Sequence, residues 1–201
     1  MALAEAHVRA GPAERSLVFL AVTAEESGLL GSKYYAEHPI FPLARTVGGV
    51  NMDSLSFGGD FRDFVSIGAG KSQLDDYARR ALEGEGIRLT PEPAPQAGYY
   101  YRSDHFSFAK LGVPMFYGHP GEDLVNGGPE AGRAASADYR ARRYHQVGDE
   151  FDPNWDWTGA LREVRIFYAI GRELANSSAW PNWLPGDEFR AIRDRSAAER
   201  R

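Results

Sequence analysis

A chain of 201 residues, 43% hydrophobic and 12% aromatic, is long enough to bury the core of one large domain, so disorder throughout is excluded. Its formal net charge of -5 supplies no basic field for a phosphate backbone, which sets nucleic acid aside and leaves small or peptide substrates. With no cysteine, disulfides and thiolate zinc sites are impossible, and a metal would have to be taken by His, Asp or Glu. The longest apolar run falls far short of the roughly 20 residues that span a bilayer, and no export signal is visible at the start.

In chain order, residues 2–10 read as the last turns of a helix stopped by Gly11-Pro12. Residues 16–23 form a continuous apolar run of strand length, the pattern of a central strand covered on both faces of a parallel sheet. Residues 27–37 read as a helix turning Leu29, Leu30 and Tyr34 inward, ended by His38-Pro39. Residues 46–52 and 64–68 read as short strands, and 72–85 as an amphipathic helix with Leu74, Tyr77, Ala78, Ala81 and Leu82 on one face. Ser72 with Asp75 is spaced as a capping box.

The Pro-rich stretch 90–98 reads as loop, Ser103-Asp104-His105 as the start of a short helix ending near Gly112, and 113–117 as another strand. Residues 119–143 have little periodicity and read as a long surface loop. Asp156 or Thr158 can cap a long helix to Leu174, with Leu161, Val164, Phe167, Tyr168, Gly171 and Leu174 at helical spacing. From Asn176 the chain reads as a tail anchored by Trp180 and Trp183, giving a domain over 1–175 and a tail over 176–201. Alternating strands and helices imply a three-layer α/β/α sandwich with a mostly parallel mixed sheet, a fold that places its site beyond the carboxyl ends of the strands.

The candidate residues obey that rule. Glu25 and Glu26 follow the first apolar run, Asp53 ends the next strand, and His145 closes the long loop. Carboxylates and imidazole are the ligand types of divalent zinc, and paired metal sites lie about 3.5–4 Å apart. Taken singly, each residue has a plainer role: adjacent glutamates suit a helix N-terminus, Asp53 a turn, and His145 a hydrogen-bonded loop. The consecutive Ser103, Asp104 and His105 do not fold back into a nucleophile relay, and capping by Ser or Asp is the role expected of them. Gly58-Gly59 and Gly127-Gly128 follow no strand, phosphate loop and helix pattern, so nucleotide binding is not supported.

The segment Val18-Phe19-Leu20-Ala21-Val22-Thr23-Ala24-Glu25-Glu26-Ser27-Gly28-Leu29-Leu30-Gly31-Ser32 resembles the signature of the co-catalytic di-zinc aminopeptidases, peptidase family M-28. Asn51-Met52-Asp53, the Ser103-Asp104-His105 block with Phe108 and Gly112-Val113-Pro114, and Tyr144-His145 with Asp149 resemble further blocks of that family in order. The resemblance implies a zinc-dependent exopeptidase fold acting on peptide substrates. It implies Glu25 as general base, Glu26 and His145 as ligands of one zinc, and Asp53 as a ligand of the other. Asp149 is then expected to orient His145, and Tyr99, Tyr100 or Tyr101 to stabilise an oxyanion or line the substrate site. Family members are often exported, which implies a secreted or periplasmic parent.

The family's His-x-Asp motif and its later bridging Asp have no counterpart here, so the resemblance implies an N-terminally truncated domain that keeps three of five ligand positions. Hydrolysis by this polypeptide alone is therefore expected to fail. Two alternatives stand beside the aminopeptidase: a glutaminyl-cyclase-like acyltransferase working with one zinc, and a non-catalytic binding module on the same fold. Cobalt or manganese would also suit such ligands.

Overall fold

The computed structural model describes residues 1–200, in which strands β1 (Gly49–Asn51), β2 (Asp63–Ser66), β3 (Arg88–Pro91) and β4 (Met115–Pro120) form one sheet in the order β1-β4-β2-β3. β1 runs parallel to β4 and β2 parallel to β3, while β2 and β4 are antiparallel, so the sheet is mixed and mostly parallel. Helices α1 (Ala2–Arg9), α2 (Leu30–Glu37), α3 (Leu74–Gly84), α4 (His105–Ala109), α5 (Gly128–Arg142), α6 (Thr158–Asn176) and α7 (Arg190–Arg195) surround it. No described helix is long and apolar enough to cross a membrane.

The sheet separates two cores because side chains alternate along a strand. Phe64 of β2 joins Phe116, Leu74, Leu82, Ile166 and Ile170 on the face covered by α3 and α6. Its neighbour Val65 points the other way, into a core with Ile67, Tyr100, Ala109, Trp183 and Phe189. This is the expected α/β layering.

α3 forms because its apolar stripe is regular, and Leu74, Tyr77, Ala78 and Leu82 are buried as the spacing requires. The capping box does not form: Ser72 Oγ accepts from Leu74 N at 3.2 Å, whereas the Asp75 carboxylate accepts from Gly70 N and Ser66 Oγ. α6 starts where Asp156 Oδ1 accepts the Thr158 amide at 2.9 Å. Its buried stripe is Glu163, Ile166, Phe167, Ile170 and Leu174, leaving Leu161 exposed.

Other expectations are corrected. Residues 16–23 form no strand; Arg15 N bonds Ala175 O and Thr23 O accepts from Gly31 N, while Val18, Phe19 and Leu20 lie about half exposed. An apolar run favours burial, but a strand also needs a ladder of paired N–H and C=O groups, and this run forms none among the described residues: β1, at the sheet edge, pairs with β4 alone. In α2 the residues turned inward are Ser32 and Ala36, not Leu30 and Tyr34, because the helix begins only after the turn at Glu25–Ser27. Residues 119–143 are not one long loop. β4 runs on to Pro120, and α5 follows, built on alanine-rich helix propensity without an apolar stripe. Part of the expected 90–98 loop is β3, an edge strand whose charged and Pro residues disguise it.

The segment after α6 packs on the sheet. Trp183 is buried with its indole Nε1–H donating to Gly112 O at 2.9 Å. Arg193, 1% exposed, donates to Thr46 O at 2.8 Å and Val47 O at 2.7 Å, the residues that lead into β1.

Candidate active site

β1 and β4 run parallel with Asn51 opposite Tyr117, so the turn carrying Asp53 leaves the sheet beside Tyr117. Asp53 Oδ2 accepts from Tyr117 OH at 3.0 Å and from Ser103 Oγ at 2.9 Å, while Ser103 Oγ accepts from Asn51 Nδ2 at 2.8 Å. One carboxylate oxygen is thus held by two hydroxyls. Ser103 spends its hydroxyl here rather than on a cap, and Asp104 makes no side-chain cap bond at α4. Sequence reasoning missed this role of Ser103 and Tyr117. The available signal was that Ser103 precedes α4 and that Tyr117 follows the buried Phe116 on an alternating strand.

Glu25 and Glu26 open a tight 3-10 turn over Glu25–Ser27. It is entered through Ala24 at φ 56° and left through Gly28 at φ 96°. Among the described residues the non-glycine positions with positive φ are Ala24, Leu29 and His145. Each carries a left-handed penalty of about 1–2 kcal/mol. Backbone strain is therefore concentrated at the two loops the sequence singled out. Gly31 supports the turn, since a side chain there would strike the Thr23 backbone.

His145 Nε2 lies 2.7 Å from Glu26 Oε1, and the Tyr144 ring stacks on the imidazole at 4.0 Å. Glu25 has its pKa raised, first by partial burial and then by the negative charges of Asp53, Glu26 and Asp104, with His145 acting against them. The charges that reach Glu25 are those of the other candidate residues and of Asp104. His105, fully buried between the Tyr100 and Tyr117 rings at 4.7 and 4.8 Å, is held neutral by burial, its pKa lowered to about 4.

Asp149 Oδ2 accepts from Tyr139 OH at 3.1 Å, tying the His145 loop to α5. Of the three tyrosines, Tyr100 is buried in the second core, Tyr101 OH donates to Glu188 Oε1 at 3.1 Å, and Tyr99 lies half exposed beside Arg102. Glu26 and His145, a carboxylate oxygen and an imidazole nitrogen in direct contact, are donor types that zinc takes together. Asp53 is not gathered with them: among the described residues no group of three or more His, Asp or Glu is placed to hold one ion.

The fold is an α/β sandwich in which Asp53 follows the carboxyl end of β1, while Glu26 and His145 meet on two loops. The family model described as Peptidase family M28 matches residues 1–169, and the chain belongs to that family. Among solved structures, it is similar to an aminopeptidase from Aneurinibacillus sp. strain AM-1, with 23% identity and a TM-score of 0.47. That match covers 77% of this chain and 32% of the other, so the chain spans about a third of the length of that relative. Comparison with curated proteins gives no match.

Proposed function

We propose that this domain serves a zinc-dependent aminopeptidase reaction, the hydrolytic removal of N-terminal residues from peptides. The reading rests on membership of the M28 family and, as the observation that carries it, on the 2.7 Å contact of His145 with Glu26 beside Glu25. Glu26 and His145 would hold zinc, which when bound supplies Lewis acidity and eases deprotonation of water. Asp53 would serve as a further ligand through its Oδ1, because Oδ2 is engaged by Tyr117 and Ser103.

Glu25 is not a ligand in this reading. It takes a proton from the attacking water and returns it to the leaving amine. Tyr99 and Tyr101 are the residues of the tyrosine run that reach solvent, and they would be the ones able to line a substrate site. Asp149, bonded to Tyr139, steadies the loop that presents His145.

The test is release of an N-terminal amino acid from an unblocked peptide by the zinc-loaded chain once the two absent ligand positions are supplied, with loss of release on chelation. Pyroglutamate formed from an N-terminal Gln peptide, with no amino acid released, would assign an acyltransferase instead. Absence of zinc uptake by the folded chain would refute the metal assignment.

A further inference from the structure

Four aromatic rings meet where the loops after Asp53 and His145 come together, outside both cores. Phe57 stacks on Trp155 with ring centroids 4.2 Å apart and planes 10° from parallel. Trp157 meets Phe57 edge-on at 5.0 Å, and Phe151 meets Trp155 edge-on at 5.4 Å. A parallel bridge between Gly58 and Asp156 ties the two loops beneath them. The cluster is open to solvent, with Phe151 69% and Trp157 43% exposed.

Large exposed rings oppose the usual drive to bury apolar surface, and a contiguous exposed patch marks a binding surface. The charge around this one selects its occupant. Residues 149–157 carry four carboxylates and no Lys or Arg. The cation reaching this stretch in an ion pair is Arg143, which stands 3.8 Å from Asp152. Aromatic faces beside excess negative charge attract a guanidinium or alkylammonium group. A neutral sugar would use the rings but not the carboxylates, and an anionic polymer would be repelled.

We propose that the cluster of Phe57, Phe151, Trp155 and Trp157 is a subsite for a cationic side chain, Lys or Arg, of a peptide. This rests on the peptidase reading and gives it a substrate class, peptides with a basic residue beyond the bond that is cut. The rings supply the π faces, and the neighbouring carboxylates supply long-range attraction that salt screens.

The experiment is a titration of the full chain with three acetylated peptides, Gly-Arg-Gly, Gly-Leu-Gly and Gly-Glu-Gly amides, followed by calorimetry and by tryptophan indole NMR signals. The acetyl group keeps the peptides from being aminopeptidase substrates. At least tenfold tighter binding of the Arg peptide is expected, with perturbation of the Trp155 and Trp157 signals and weakening at high salt. Phe151→Leu, which keeps an exposed apolar side chain but removes the ring, and Glu150→Lys, which reverses a surface charge, should each lower that preference severalfold without unfolding the chain.

Glu25→Gln should leave Arg-peptide binding unchanged, so a failure of the hydrolytic reading is seen apart from a failure of the subsite. Equal affinity for the three peptides, or an Arg preference untouched by both Phe151→Leu and Glu150→Lys, would overturn the proposal. So would binding of a neutral oligosaccharide at the same rings in preference to the Arg peptide.

Discussion

The Tyr117 hydroxyl donates to the same Asp53 oxygen, Oδ2, that receives the Ser103 hydroxyl, at 3.0 and 2.9 Å. Burial, reinforced by the Asp53 charge, raises the Tyr117 pKa, so the phenol stays protonated and remains a donor. Tyr117→Phe removes that donor while keeping the ring. Its expected effect is a loss of about 10–100-fold in zinc affinity or turnover, the range found when a hydrogen bond behind a ligand is deleted. Calorimetric zinc titration checks it, and unchanged affinity and rate would refute an orienting role.

Glu25→Gln tests the proton acceptor. The amide keeps the shape of the side chain but cannot take a proton, so in a chain carrying the full ligand set turnover is expected to fall by about 10²–10⁴-fold. Zinc content, measured by atomic emission, is expected to match that of the parent. Retained peptidase activity would remove Glu25 from the reaction.

Glu163 predicts a pH dependence of stability. Its carboxyl is fully buried on α6 against the loop after β1, with the Ser56 amide 3.3 Å from Oε2. Burial raises its pKa from 4.5 to about 8, against the smaller opposing effect of the Ser56 hydrogen bond. Below 4.5 both folded and unfolded chains hold the proton. As pH rises toward 8 only the unfolded chain releases it, so this contribution to stability is lost across that window. The loss is on the order of 3–5 kcal/mol, at about 1.4 kcal/mol for each pH unit. Urea melts from pH 5 to pH 8.5 should show the decline, and Glu163→Gln should remove most of it.

Arg193→Ala should cost about 3 kcal/mol or more, because it strips donors from the carbonyls of Thr46 and Val47 and the weaker contact with Pro181. Arg193→Lys should rescue little, since an ammonium cannot reproduce a planar fork that reaches several carbonyls. Denaturant midpoints read both effects. Equal stability of the Lys variant and the parent would show that charge alone suffices.

The candidate residues and the elements around them were not equally legible in the sequence. Glu26 and His145, singled out from separate sequence blocks, do meet in the structure. α3 was equally readable, because its apolar stripe matches the helical repeat. Residues 16–23 misled because hydrophobicity reports a wish for burial and says nothing about a pairing neighbour. α5 was hidden because alanine propensity, not an apolar stripe, makes it helical. The Ser103 and Tyr117 bonds to Asp53 were invisible for a different reason: they depend on β1 and β4 lying side by side, a long-range fact that spacing does not encode.

Arg193 grips the backbone just ahead of β1, and β1 delivers Asp53 to the site. The segment after α6 is therefore a keystone for the turn that carries Asp53. A protease that trims the chain before Arg193 would leave the glutamate turn uncut, yet the injury should register first at Asp53, as a loosened carboxylate.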